Sequence, residues 1–87
     1  MTFATYVLES ESTGRLYIGH SNDPLRRVSE HNAGHTTSTR GRGPWALIFT
    51  REFETRAEAA RLERELKALK SPDKVRAYIQ GFLSGQR

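Results

Sequence analysis

The succession of apolar and polar residues divides the chain into six segments. Phe3 to Glu9 (FATYVLE) is aromatic and β-branched and predicts a strand. Ser12-Thr13-Gly14 is a turn signal. Arg15 to Gly19 (RLYIG) then alternates polar with apolar and predicts a second strand. The short connection favours an antiparallel hairpin. In the second strand Leu16 and Ile18 face one way, Arg15 and Tyr17 the other. Asn22-Asp23-Pro24 starts a helix, since Asn22 or Asp23 can cap and Pro24 suits the first helical position. That helix should run to about Ala33, with Gly34 closing it in the left-handed conformation. Leu25 and Val28 form its apolar stripe. Arg27 and His31 stand four apart and share one face.

Gly34 to Pro44 (GHTTSTRGRGP) is a polar, glycine-containing loop. Trp45 to Phe53 (WALIFTREF) predicts a third strand, largely buried at its start. Thr55-Arg56-Ala57-Glu58 is a capping box opening a second helix, with Ala59, Leu62, Leu66 and Leu69 as its stripe. Ser71-Pro72 ends that helix and starts another, whose apolar face is Val75, Tyr78, Ile79 and Phe82. The stretch from Gly81 to Arg87 is expected to fray. There are no repeats and no sign of a second domain, so residues 1–87 are expected to form one domain. The order ββαβαα predicts an α+β fold, a small three-stranded antiparallel sheet flanked by helices.

Composition narrows the surroundings. A chain of 87 residues suits one domain with a modest core. The absence of cysteine removes disulfides and thiolate zinc sites and fits a reducing cytoplasm, the expected location. The first residues lack the basic start and long apolar run of a signal peptide. No apolar stretch reaches the roughly 20 residues of a membrane span, so no membrane partner is expected. Fourteen basic against ten acidic residues give a formal charge of +4 and a pI near 10.0, which makes a polyanion a reasonable partner. The Gly34–Pro44 loop carries His35, Arg40 and Arg42 and no acid. It reads either as a plain connector or as a strap contacting phosphates, and its acid-free composition favours the strap. Binding through it should weaken with salt, by a log–log slope of about −0.9 per phosphate on duplex DNA.

Several chemistries are absent. There is no P-loop, no dinucleotide-binding glycine pattern and no HExxH helix. No serine sits in a nucleophile elbow, and His20, His31 and His35 lack zinc-site spacing. What remains is a constellation: Tyr6 and Tyr17 on paired strands, Arg27 and His31 on one helix face, and Glu63 in the second helix. Each has an ordinary role too. The tyrosines can be half-buried packing residues, Arg27 can pair with Glu30, and Glu63 can pair with Lys67 one turn on. Periodicity does not select Glu63 over Glu58 or Glu65.

The constellation resembles that of the GIY-YIG nucleases. The family's first motif is reduced here to Ala4-Thr5-Tyr6, followed by Val7, and keeps only its tyrosine. The second is intact as Tyr17-Ile18-Gly19. The family's arginine stands about ten residues beyond that tyrosine, where Arg27 stands, within Leu25-Arg26-Arg27-Val28. The family's metal-binding glutamate follows the third strand in a pattern like Glu58-Ala59 to Glu63-Arg64-Glu65-Leu66-Lys67, which matches Glu63. The polar residue, often Asn, that the family carries beyond this glutamate has no counterpart here. The likeness spans about residues 3 to 70 and is nearest to short stand-alone bacterial members.

The resemblance implies an endonuclease that hydrolyses phosphodiester bonds in DNA with one divalent cation, Mg²⁺ or Mn²⁺. It implies that Glu63 binds the metal, Arg27 clamps the phosphate, and Tyr17 orients or deprotonates the water. Tyr6 would position the phosphate or share the base role, and His31 would assist proton transfer. His20 stands where many relatives carry lysine or tyrosine and would touch phosphate or the base. Arg26, Arg40, Arg42 and Lys67 are the expected further contacts to nucleic acid, RNA included. Specificity is expected to rest with DNA shape, a homodimer or a protein partner, because so small a domain makes few base contacts. A second reading is a nucleic-acid-binding module of the same fold with weak or no catalysis, which the reduced first motif permits. A third is an adaptor docking a partner through its last helix, which an unusually large exposed apolar patch around Tyr78, Ile79 and Phe82 would favour.

Overall fold

The computed structural model describes residues 1–85. Its sheet has three antiparallel strands in the order β2-β1-β3, with β1 at Phe3–Ser10, β2 at Leu16–Ser21 and β3 at Trp45–Phe53. The middle strand is covered on both faces, so Ala4 to Leu8 form one unbroken buried run without alternation in exposure. The helices are α1 at Pro24–Asn32, α2 at Arg56–Ala68 and α3 at Pro72–Gly85. The expected α+β architecture and its ββαβαα order are therefore observed.

Two apolar clusters lie on the two faces of the sheet. Val7 and Phe49 pack with Leu62 and Leu66 of α2 and Val75 and Ile79 of α3. Tyr6, Leu8 and Trp45 form the other cluster, with Val28 of α1 against them. One chain irregularity makes both possible. Trp45, Leu47 and Phe49 are spaced by two and would share a face in a regular strand. The β1–β3 register pairs Val7 with Phe49 but Leu8 with Leu47, which leaves Ile48 as an extra residue. This bulge turns Phe49 to one core while Trp45 and Leu47 serve the other.

The expected apolar stripe of α1 is corrected by the structure. Leu25 is 71% exposed, while His31 is buried. At 3.6 residues per turn, a helix face centred on His31 leaves Leu25 about 120° away. The inward face of this helix therefore includes a polar side chain, and hydropathy alone misplaces it. The expected fraying after Gly81 is also not what the described residues adopt, since α3 stays helical to Gly85. Phe82 packs edge-on against Phe49, with centroids 5.4 Å apart, and anchors this turn. Residues 86 and 87 lie outside the described residues. Tyr78, Ile79 and Phe82 pack in or against the core, so the large exposed apolar patch that would favour an adaptor is not found at them.

Candidate active site

The β1–β2 register places Tyr6 opposite Gly19 and Leu8 opposite Tyr17. The Tyr6 ring lies across Gly19. A Cβ added there would stand 2.8 Å from the Tyr6 hydroxyl oxygen, 2.9 Å from Cζ and 3.2 Å from Cε1 of Tyr17. The glycine of Tyr17-Ile18-Gly19 is thus required for space, and it seats the buried Tyr6 phenol over the outer strand. The Tyr6 and Tyr17 ring centroids are 6.3 Å apart.

Helix α1 brings the next two groups. Asp23, and not Asn22, caps it, by accepting from the Arg26 N–H at 3.2 Å. Gly34 closes it at φ +81°, as its position predicts. Two hydrogen bonds between the Asn32 side chain and the Trp45 backbone, at 2.7 and 3.1 Å, clasp the helix end to β3. His31 is held inward, its ring centroid 4.4 Å from that of Tyr17. Its Nε2 lies 3.4 Å from the Tyr6 hydroxyl, and its Nδ1 lies 2.8 Å from the Thr39 hydroxyl. Arg27 projects from the same face and is held by Glu30.

The electrostatics follow from this packing. Burial pushes the Tyr6 phenol above its ordinary pKa. The Arg27 guanidinium opposes the rise, while Tyr17 and the charge of Glu63 add to it. The arginine beside this tyrosine therefore does not lower its pKa overall, because desolvation outweighs it. Burial also lowers the pKa of His31, and Arg27 adds to that. Neutral His31 gains a proton more readily in the unfolded chain than in the fold. The stability it contributes is complete above the ordinary histidine pKa and is lost as pH falls from that value through the lowered one of the fold. The melting temperature is expected to drop between about pH 7 and pH 5, and less so in His31→Gln. Equal slopes for the two proteins would contradict a buried neutral imidazole.

Glu63 approaches from the other helical layer. Thr5, fully buried in β1, donates from its hydroxyl to the Ala59 carbonyl at 2.7 Å and ties α2 to the central strand one turn before Glu63. The Glu63 carboxylate takes His20 Nδ1 at 2.6 Å on one oxygen and Lys67 Nζ at 2.6 Å on the other. Burial alone would raise its pKa, but the Lys67 and His20 hydrogen bonds outweigh that and hold it below the usual carboxylate value. The result is a half-buried, ionised, hard oxygen donor. No cluster of three or more His, Asp or Glu side chains suited to a metal occurs among the described residues. A single carboxylate fits Mg²⁺ or Mn²⁺ bound mainly by water and substrate oxygens.

Of the residues singled out from the sequence, Tyr6, Tyr17, Arg27 and His31 meet in one place. Glu63 joins from across the sheet edge, near enough for its charge to act on Tyr6, with His20 and Lys67 as its immediate partners. Arg26, Arg40 and Arg42 do not enter this cluster. Arg26 is exposed beside Glu30, and Arg40 donates to the Gly34 carbonyl at 2.9 Å within its own loop. Arg42 is exposed and supplies its carbonyl to Ser10 and Ser12. Three contributors escaped sequence reasoning: Thr5, Asn32 and Thr39. The available signal was a polar residue in an apolar strand for Thr5, while nothing in the loop sequence distinguished Thr39 from its neighbours. A hollow of about 820 Å³ lies at Ile48, Arg51 and Phe82, and no residue of the cluster lines it.

Comparison with known proteins bears on the family of this fold. Residues 2–77 match the model of the GIY-YIG catalytic domain. A UPF0213 protein of Halobacterium salinarum is 44% identical over 70 residues, covering 79% of this chain and 90% of that one. A structure-specific endonuclease subunit SLX1 homolog of Giardia intestinalis is 43% identical over 68 residues, covering 70% of this chain but 19% of the longer protein. The solution NMR structure of a UPF0213 protein from Bacillus halodurans superposes with a TM-score of 0.55 at 37% identity, covering 90% of this chain and 83% of that one. With the two tyrosines, arginine, histidine and glutamate placed as above, the chain belongs to the GIY-YIG domain family, a nuclease family, and aligns over most of the length of two short UPF0213 proteins.

Proposed function

We propose that this protein is a divalent-metal-dependent endonuclease hydrolysing phosphodiester bonds in DNA. The observation that carries the reading is the convergence of two phenols, a guanidinium and a neutral imidazole beside a carboxylate whose charge reaches the same spot. A cation held by Glu63 would supply Lewis acidity toward the phosphate and its leaving oxygen. Glu63 must first yield the oxygen occupied by Lys67, which frees that ammonium for a phosphate. Arg27 exchanges Glu30 for two non-bridging oxygens of the scissile phosphate, a pairing that suits its planar fork. Tyr17 orients the attacking water. Tyr6 accepts the water's proton while passing its own to His31 Nε2, a relay that needs His31 neutral at the outset. His20 holds Glu63 in place. Arg26, Arg40 and Arg42 form an outer rim for backbone phosphates.

Binding without efficient cleavage is the second reading. It is favoured by one observation, that both oxygens of Glu63 are already engaged by cationic or hydrogen-bonding partners. The Giardia intestinalis relative is named as a subunit. A protein partner or a homodimer is the corresponding source of specificity here.

The deciding experiment is a panel of linear, single-stranded, nicked and branched DNA, with RNA alongside, in Mg²⁺, Mn²⁺ and chelator. Metal-dependent nicking of at least one form is expected. Arg27→Ala should lower kcat/KM by about 10²- to 10³-fold. Wild-type protein that binds these nucleic acids but never cuts any of them establishes the binding module instead.

A further inference from the structure

Between Gly34 and Pro44 one side chain is fully buried, that of Thr39. Its backbone carbonyl takes the Trp45 indole N–H at 3.1 Å, and its N–H donates to the Thr36 carbonyl at 3.2 Å. Its hydroxyl stands between two partners, the Thr36 carbonyl at 3.3 Å and His31 Nδ1 at 2.8 Å. A carbonyl can only accept, and a threonine hydroxyl has one proton to give. When that proton goes to Thr36, the hydroxyl receives one from His31 Nδ1. Nε2 is then bare and faces the Tyr6 hydroxyl. The opposite arrangement would put an N–H at Nε2 against Tyr6, so that the phenol oxygen would have to accept from His31. The phenol proton would then have no acceptor among these groups. The three hydrogen bonds consequently run in one direction, from Tyr6 to His31 to Thr39 to Thr36.

We propose that Thr39 is the positioning residue of this site, fixing His31 as the Nδ1–H tautomer so that Nε2 stays open to the Tyr6 proton. The effect on tautomer stands on the hydrogen bonds alone, and its effect on turnover rests on the nuclease reading above. The Gly34–Pro44 segment is then more than a connector or a phosphate strap, because one of its hydroxyls decides which imidazole nitrogen is basic.

The test is the ¹⁵N correlation spectrum of the His31 ring at neutral pH, read beside steady-state kinetics, for wild type, Thr39→Val and Thr39→Ser. Valine keeps the β-branched shape and removes the hydroxyl. Wild type should show the Nδ1–H tautomer predominating, and Thr39→Val should gain Nε2–H form. With a cleavable DNA, kcat should fall about 10²-fold or more in Thr39→Val while KM changes little, because a proton transfer through the wrong tautomer forfeits general-base help worth about 10²- to 10⁴-fold. Thr39→Ser should restore both the tautomer and the rate. A wild-type ring protonated at Nε2, or a Thr39→Val ring unchanged in tautomer, overturns the proposal. So does Thr39→Ser behaving like Thr39→Val. The wild-type and serine spectra decide the matter even if the valine variant folds poorly. If the tautomer responds as expected while no nucleic acid is cut, the positioning role holds and the nuclease reading alone fails.

Discussion

Glu63→Gln is expected to lower metal-dependent DNA cleavage by about 10³-fold or more, while DNA affinity stays within a few-fold of wild type. The change is nearly isosteric and removes the charge that would hold the cation. It also releases Lys67 from its 2.6 Å ion pair and adds one positive unit to a formal charge of +4, so affinity for a polyanion should be maintained or improved. Stability should fall by no more than about 1 kcal/mol, because Lys67 is more than half exposed and solvent screens the pair. Calorimetric titration with Mn²⁺ separates the steps. Wild type should bind one ion in the presence of DNA, and the glutamine variant should bind none. A variant that cuts as fast as wild type would remove Glu63 from the metal site, and undiminished wild-type cutting in chelator would remove the metal from the reaction.

Gly19→Ala is the second large effect. Gly19 has no positive φ that would demand glycine, so the constraint is volume. The new methyl would meet Tyr6 Oη at 2.8 Å and Cζ at 2.9 Å, and Tyr6 is fully buried with little room to retreat. Overpacking of this kind costs about 1–3 kcal/mol. The Tyr6 hydroxyl should also be displaced from His31 and Arg27, and a shift near 1 Å at a reacting group costs about 100-fold in rate. Melting temperature and kcat should therefore fall together. Combining Tyr6→Phe with Gly19→Ala should recover part of the stability and none of the rate. A Gly19→Ala protein with wild-type melting and wild-type turnover would mean that the phenol does not occupy this slot during the reaction.

The elements were legible because each carried its own local signal. Trp45–Phe53 was found with its observed bounds from β-branched and aromatic residues, and Thr55 caps α2 as its capping box predicts. The pairing of Tyr17, Arg27 and Glu63 was legible only through resemblance to a family. Periodicity ranks Glu58, Glu63 and Glu65 equally, whereas the fold distinguishes them by setting His20 and Lys67 around one. Leu25 is exposed and His31 buried, against the apolar stripe that hydropathy predicts, because a helix of nine residues has too few apolar positions to reveal where its inward face is centred. Thr39 was illegible for a related reason. Its burial depends on the Asn32–Trp45 clasp and the turn at Thr36, contacts between segments whose meeting no local pattern encodes.

The extra residue at Ile48 bears on how this family member can change length. Losing one residue from the middle of β3 would restore strict two-residue periodicity and rotate either Trp45 or Phe49 out of its core. Because Trp45 is clasped by Asn32 and capped by the Thr39 carbonyl, the disturbance would travel to His31 without touching any residue that meets the substrate. Insertions are absorbed far more cheaply on the outer side of the neighbouring loop, where exposed backbone has no such phase to keep. Evolutionary drift in chain length is thus steered away from an ordinary-looking strand, for reasons of parity and not of composition.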